Sequence, residues 1–261
     1  MALKTAHHTR HAKPEDRELA RKLEELAALE AELADRELRL ANLRAELGAF
    51  ERRYLHFVGS RYAELDAWKL RIAERLAEEQ PRNERAQQAA REARARADET
   101  KSAAGEKSSQ EPREFRSSPE MKQLYREVAK RVHPDLTSDR ADRVNRQRLM
   151  AEANEAYERG DQKQLSKILI AYEHSPEAIA GDGTGAELVR AIRRVSQARG
   201  RLAEIEAEMQ DLLRSDLQQL KSRVDDAEKG GRDVLKEMIE KVEEQIELAK
   251  RRIQKRGPVA S

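Results

Sequence analysis

The stretch Ser118-Pro119-Glu120-Met121-Lys122-Gln123-Leu124-Tyr125-Arg126-Glu127-Val128-Ala129-Lys130-Arg131-Val132-His133-Pro134-Asp135 reads as one amphipathic helix with both ends marked, running into a loop. Ser118 is a good N-cap, and Pro119 suits the first helical position, where a backbone N–H would have no acceptor in any case. Met121, Leu124, Tyr125, Val128 and Val132 recur at three- and four-residue steps and form one apolar stripe that must be buried. Lys122, Arg126 and Lys130 line a neighbouring stripe, with Arg131 and Arg116 close by, so the outward face is basic. Pro134 drives His133 out of the α region and stops the helix there. The loop through Leu136 and Thr137 leads to a second cap at Ser138 or Asp139 and a second helix from about Arg140 to Arg159. Its apolar side is Val144, Leu149 or Met150, Ala153, Ala156 and Tyr157, and Gly160 is placed to end it. Two helices joined by so short a loop are expected to lie antiparallel, with His133, Pro134 and Asp135 exposed at the tip.

The run from Met121 to Asp135 resembles the second helix and signature loop of DnaJ-type J domains, and Met150 to Glu158 is similar to their third helix. The resemblance implies a co-chaperone that binds a DnaK-type heat-shock ATPase and stimulates ATP hydrolysis by that partner, without catalytic activity of its own. It implies that His133, Pro134 and Asp135 touch the junction between the partner's nucleotide-binding domain and its linker, while Lys122, Arg126, Lys130 and Arg131 meet an acidic surface. The chemistry suits such a role: Pro134 stiffens the loop, Asp135 can accept a charge-assisted hydrogen bond, and the basic stripe supplies steering. The chain departs from the family pattern in places. Glu114-Phe115-Arg116-Ser117-Ser118 stands where the first J-domain helix belongs, and Leu136 occupies a position where lysine is frequent. After Gly160 the segment Asp161 to Ile170 forms a capped apolar helix, and Leu165, Ile168 and Leu169 are expected to cover the face that a first helix would cover.

Outward from this unit the chain becomes heptad-patterned. Leu19, Leu26, Leu33, Leu40, Leu47 and Tyr54 keep a strict seven-residue repeat, and Leu29, Leu43, Phe50 and Phe57 share the companion position with Lys22 and Arg36. The pattern slips near Gly59-Ser60 and continues through Tyr62, Leu65, Ile72 and Leu76 to Pro81, as either a hairpin or one bent helix. Residues 82–113 lose apolar periodicity and read as a polar helix fraying into a linker. Beyond Pro176 and the glycines from Gly181 to Gly185, Leu188, Val195, Leu202 and Met209, with Ile192, Ile205 and Leu212, begin another stripe. Gly230-Gly231 interrupts it before Leu235, Ile239, Val242, Ile246, Ala249 and Ile253, so a hairpin turning at the glycines is expected. The expected organisation is a disordered amino terminus over 1–13, coiled-coil helices over 14–80 and a polar helix or linker over 81–117. A J-like domain follows over 118–175, then a glycine-rich linker over 176–185, a coiled-coil hairpin over 186–256 and a tail over 257–261.

Composition points the same way. With 39% charged and only 3% aromatic residues, the chain reads as all-α, built from long thin helical packing rather than around one large core. Acids and bases alternate to a net charge of +2, so nucleic acid is not implied. There is no cysteine, which excludes disulfides and zinc-binding Cys-x-x-Cys modules. His7, His8 and His11 have helical metal-ligand spacing but no carboxylate cluster beside them, and no metal or cofactor is expected. No phosphate loop, nucleophile with base, or paired carboxylates can be located, which argues against an enzyme. No apolar run approaches the roughly 18 residues of a membrane span, and no signal-peptide core is visible, so a cytoplasmic location is expected. Trp68 reads as packing. The coils could form a homo-oligomer, pack within one chain, or hold a client or a membrane-associated partner. A second reading makes the chain a coiled-coil scaffold whose J-like hairpin is structural only.

Overall fold

The computed structural model describes residues 14–108, 115–137, 139–173 and 184–255. The His7, His8 and His11 run, residues 109–114 of the linker, Ser138, Pro176 with the linker through residue 183, and the tail from residue 256 lie outside them. Among the described residues every element is helical: α1 Pro14–Tyr54, a π turn Leu55–Gly59, α2 Ser60–Glu79, α3 Glu84–Ser108, α4 Pro119–Val132, a 3-10 turn Pro134–Leu136, α5 Arg140–Arg159, α6 Gln162–Glu173, α7 Thr184–Arg214, α8 Asp216–Lys229 and α9 Val234–Gln254. None of these helices is long and apolar enough to cross a membrane. The chain divides into two compact units, one with residues up to Ala45 and Phe115–Leu212, the other with Glu46–Glu114 and Leu213 onward. Each unit therefore joins two segments that are far apart in the chain, which a segmentation along the sequence does not capture.

In the first unit, α1 and α7 form a parallel coiled coil within one chain. Glu30 pairs with Arg194 at 2.7 Å, Glu37 with Arg201 at 2.8 Å, and Arg44 with Glu208. Each step advances seven residues on both helices together, so the two chains of residues run in the same direction with heptad register. Leu33 and Leu40 are buried against Ile205, with Leu202, Met209 and Leu212 at the edge. On α7 the buried positions are Ala191, Val195, Ala198 and Ile205; Ile192, expected on the stripe, is 46% exposed because Ala191 holds the heptad position.

The α4–α5 pair is antiparallel, since the Arg146 guanidinium donates to the Arg131 carbonyl at 3.2 Å while the Tyr125 hydroxyl donates to Asn154 at 2.5 Å. Met121, Tyr125, Val128, Ala129 and Val132 are buried with Leu149, Met150, Ala153, Ala156 and Tyr157, whereas Val144 points to solvent. Leu165 and Ile168 of α6 join this core, with Leu169 partly buried beside them. Each such side chain contributes about 1.5–3 kcal/mol on burial. Ala34, Leu38 and Ala41 of α1 join it too, so α1 and α6 together cover the apolar face of the hairpin. Gly160 closes α5 at φ 73°, and Asp161 caps α6 by accepting from the Gln164 N–H at 2.9 Å.

In the second unit, the slip near Gly59 is a π turn and not a reversal: Gly59 stays helical at φ −58°, ψ −41°. A π turn inserts one extra residue, and the buried stripe moves from Phe50 to Val58 and Leu65, leaving Phe57 44% exposed. The hairpin turn comes at Pro81 instead. There Asn83 caps α3 by accepting from the Arg85 and Ala86 N–H groups at 3.1 and 3.3 Å. The segment expected as a polar helix fraying into a linker is the helix α3 over Glu84–Ser108, antiparallel to α2 through Gln87 to the Ala77 carbonyl at 3.0 Å and Arg94 to Glu74 at 2.5 Å. Its contact stripe is alanine: Ala97 and Ala104 are buried and Ala86, Ala90 and Ala93 half-buried. On another side of α2, Leu65 and Trp68 pack against Val242 and Ile246 of α9. The carboxy-terminal stripe breaks at Ser215, whose hydroxyl caps α8 by accepting from the Gln218 N–H at 3.2 Å. The chain then turns at Gly230-Gly231, with Gly231 at φ 78°.

Candidate functional site

The His133-Pro134-Asp135 loop is shaped first by its own hairpin. The Ser118 hydroxyl accepts from the Met121 N–H at 3.1 Å and starts α4 one residue before Pro119. At the other end Pro134 leaves His133 extended, at φ −60°, ψ 130°. The chain then makes a 3-10 turn in which the Leu136 N–H donates to the His133 carbonyl at 3.1 Å. Asp139 caps α5 by accepting from the Asp142 N–H at 2.8 Å. Arg146, held by Asp142 at 2.8 Å, donates to the carbonyls of Arg131 and His133 at 3.2 and 3.4 Å and closes the gap between the helices.

Contrary to expectation, His133 is not at an exposed tip. Its side chain is 2% exposed, because α1 and α7 of the same unit lie over the loop. The ring Nδ1 accepts from the Asp135 N–H at 3.2 Å, which places the proton on Nε2, and Nε2–H donates to Glu37 Oε1 at 3.0 Å. The same carboxylate oxygen accepts from Arg201 Nε at 2.9 Å and is ion-paired with Nη2 at 2.8 Å. Burial pushes the Glu37 carboxyl up, but the hydrogen bond from His133 and the Arg201 charge outweigh it and hold its pKa below the ordinary glutamate value. Leu136 is buried beside Leu33, Leu40 and Ile205 and serves as an apolar anchor to the coiled coil. The Gln197 amide, oriented so that both its ends are satisfied, donates to the Asp135 carbonyl at 3.1 Å and accepts from Arg143 at 2.8 Å.

Of the remaining residues singled out in the sequence, Pro134 and Asp135 are half-buried, and Lys130 and Arg131 are exposed. Lys122 is half-buried, and Arg126 donates from Nε to Asp35 of α1 at 2.6 Å. Among the described residues Lys122 and Lys130 make no ion pair, so the basic stripe is committed to α1 at its centre only. The residues that sequence reasoning missed are Glu37, Arg201, Gln197 and Asp35. A signal for Glu37 and Arg201 was present: Glu30, Glu37 and Arg44 on one helix mirror Arg194, Arg201 and Glu208 on the other at the same spacing. Nothing local to the loop points to Gln197 or Asp35. Among the described residues no group of three or more histidine, aspartate or glutamate side chains is placed to hold a metal ion. Comparison of the chain with family models, with curated proteins and with solved structures yields no match.

Proposed function

We propose that α4, α5 and α6 form a J-like module through which this chain binds a DnaK-type heat-shock ATPase and stimulates its ATP hydrolysis in the cytoplasm. The long helices would serve to hold a client, to localise the module or to assemble copies of the chain. The observation that carries this reading is the junction itself. A capped basic helix ends in His133-Pro134-Asp135, with Asp135 half-buried and Lys130 and Arg131 exposed beside it. The Asp135 carboxylate lies 3.8 Å from His133 Nδ1 but accepts no hydrogen bond among the described residues, so it has the capacity to accept one from an arginine of a partner.

The test is turnover of ATP by the DnaK-type ATPase of the source cell, with the wild type and with Asp135→Asn. Stability is expected to move by only about 0.5 kcal/mol, as for an ordinary surface change. Stimulation is expected to be lost, because removing one partner of a charged interfacial hydrogen bond costs roughly 2–5 kcal/mol. Equal stimulation by both proteins would remove the loop from the contact. His133→Gln is a poorer probe, because its ring is buried and the change also disturbs the fold. That burial favours a second reading, in which the tripeptide is a structural staple and the chain a coiled-coil scaffold. The scaffold reading takes over if neither the wild type nor a variant lacking the Glu37 contact to His133 changes the ATPase at any concentration.

A further inference from the structure

We infer that the α1–α7 coiled coil is an autoinhibitory clamp, holding the signature loop in a form that the partner ATPase cannot engage until the coil moves off it. This inference rests on the J-like reading. Four contacts from α1 and α7 converge on the loop and its helix, and each takes a group that a partner would need. Glu37, fixed by Arg201, occupies the only free ring donor of His133. Gln197 occupies the Asp135 carbonyl. Leu33, Leu40 and Ile205 bury Leu136. Asp35 takes Arg126 from the centre of the basic stripe.

The hairpin does not need these contacts to keep its shape. Arg146 bridges Arg131 and His133, the Asp135 N–H reaches His133 Nδ1, and the Asp139 cap sets α5, all from within α4 and α5. Within the hairpin core α1 contributes Ala34, Leu38 and Ala41, so lifting α1 uncovers the apolar face it shares with α6 as well as the loop. On this inference the loop takes two arrangements, the covered one held by these contacts and an uncovered one with the coil moved off. Activity toward the ATPase then scales with the fraction of chains uncovered.

The test uses the full chain and the same ATPase. The swap Glu37→Arg with Arg201→Glu keeps the charge pair of the coil but sets a guanidinium against His133 Nε2–H, donor facing donor. The expected result is faster amide exchange at Asp135 and Leu136 and at least tenfold more stimulation at a sub-saturating concentration, equivalent to about 1.4 kcal/mol. The chain has no cysteine, so Asn42→Cys with Ser117→Cys, two positions whose side chains meet at 3.4 Å, can be joined by a thiol-cleavable tether. The tethered form is expected to lose stimulation and to regain it on cleavage. If the swap uncovers the loop by exchange while stimulation stays at the wild-type level, and Asp135→Asn still abolishes it, the clamp is overturned and the J-like module stands. If wild type, swap and cleaved forms all fail to stimulate, the module reading falls and the clamp with it. Should the swap not fold, equal stimulation by tethered and cleaved forms overturns the clamp by itself.

Discussion

Glu37→Ala removes the acceptor that joins the loop to the coiled coil, and its cost can be worked from the two groups left behind. His133 Nε2–H sits in a side chain 2% exposed and loses its only acceptor, which costs about 1–3 kcal/mol for an unsatisfied buried donor. Arg201 is 24% exposed and retains Glu204 at 3.3 Å, so its guanidinium turns to water and forfeits only about 0–1 kcal/mol. Nearly all of the destabilisation therefore belongs to His133. Urea unfolding followed by circular dichroism, with amide exchange at His133 to Thr137, measures it. A double-mutant cycle with His133→Ala isolates the shared part, and a coupling of about 1 kcal/mol or more is expected for groups in one hydrogen-bonded network. Glu37→Gln keeps an oxygen for His133 but turns an amide toward Arg201, so it is expected to cost less than alanine. A Glu37→Ala effect below about 0.5 kcal/mol, the ordinary surface range, together with no coupling to His133, would refute the claim that this carboxylate holds the loop.

The pKa of Glu37 is lower in the folded chain than in the unfolded one, so its stabilisation is complete above the ordinary glutamate value near about 4.3 and is lost as pH falls through the lower folded value. Urea midpoints measured across that acid window are expected to fall more steeply for the wild type than for Glu37→Gln; parallel curves would contradict the assignment. Gly231 lies at φ 78° with no atom within 4 Å of where a Cβ would stand, so Gly231→Ala is expected to cost only the backbone penalty of about 1–2 kcal/mol, read as a lower thermal midpoint, and Gly231→Asn less.

Local chemistry was legible wherever the signal and its cause lie within one turn of chain. Ser118 and Pro119 set the start of α4, Pro134 its end, and Gly160 and Gly231 the two left-handed turns, because each depends on backbone sterics that a single residue controls. The stripe of Leu33 and Leu40 was legible for the same reason, since a heptad of large side chains has one way to be buried. The slip at Gly59 is compatible with either a hairpin or a bend on spacing alone; it is an insertion of one residue, and the spacing from Phe50 to Val58 to Leu65, eight and then seven, records it. The α3 seam was hidden because its contact residues are alanines, which bury little area individually yet let two helices approach closely. A search for large apolar residues passes over it.

The fate of His133 depends on residues 96 and 68 positions away in the chain, Glu37 and Arg201, and no property of the loop announces them. What the sequence does hold is the pairing rule that brings them there. Glu30, Glu37 and Arg44 meet Arg194, Arg201 and Glu208 with opposite charges at all three levels. Shifting α7 by one heptad so that Glu37 faces Glu208 would set two carboxylates together, while shifting it the other way would set Arg44 against Arg201. Charge order thus selects the one register that carries Glu37 to the loop, and the apolar stripe alone, which repeats identically every seven residues, cannot make that choice. The same carboxylate that specifies the register is the one that engages His133, so the position of the coil and the covering of the loop are one structural event.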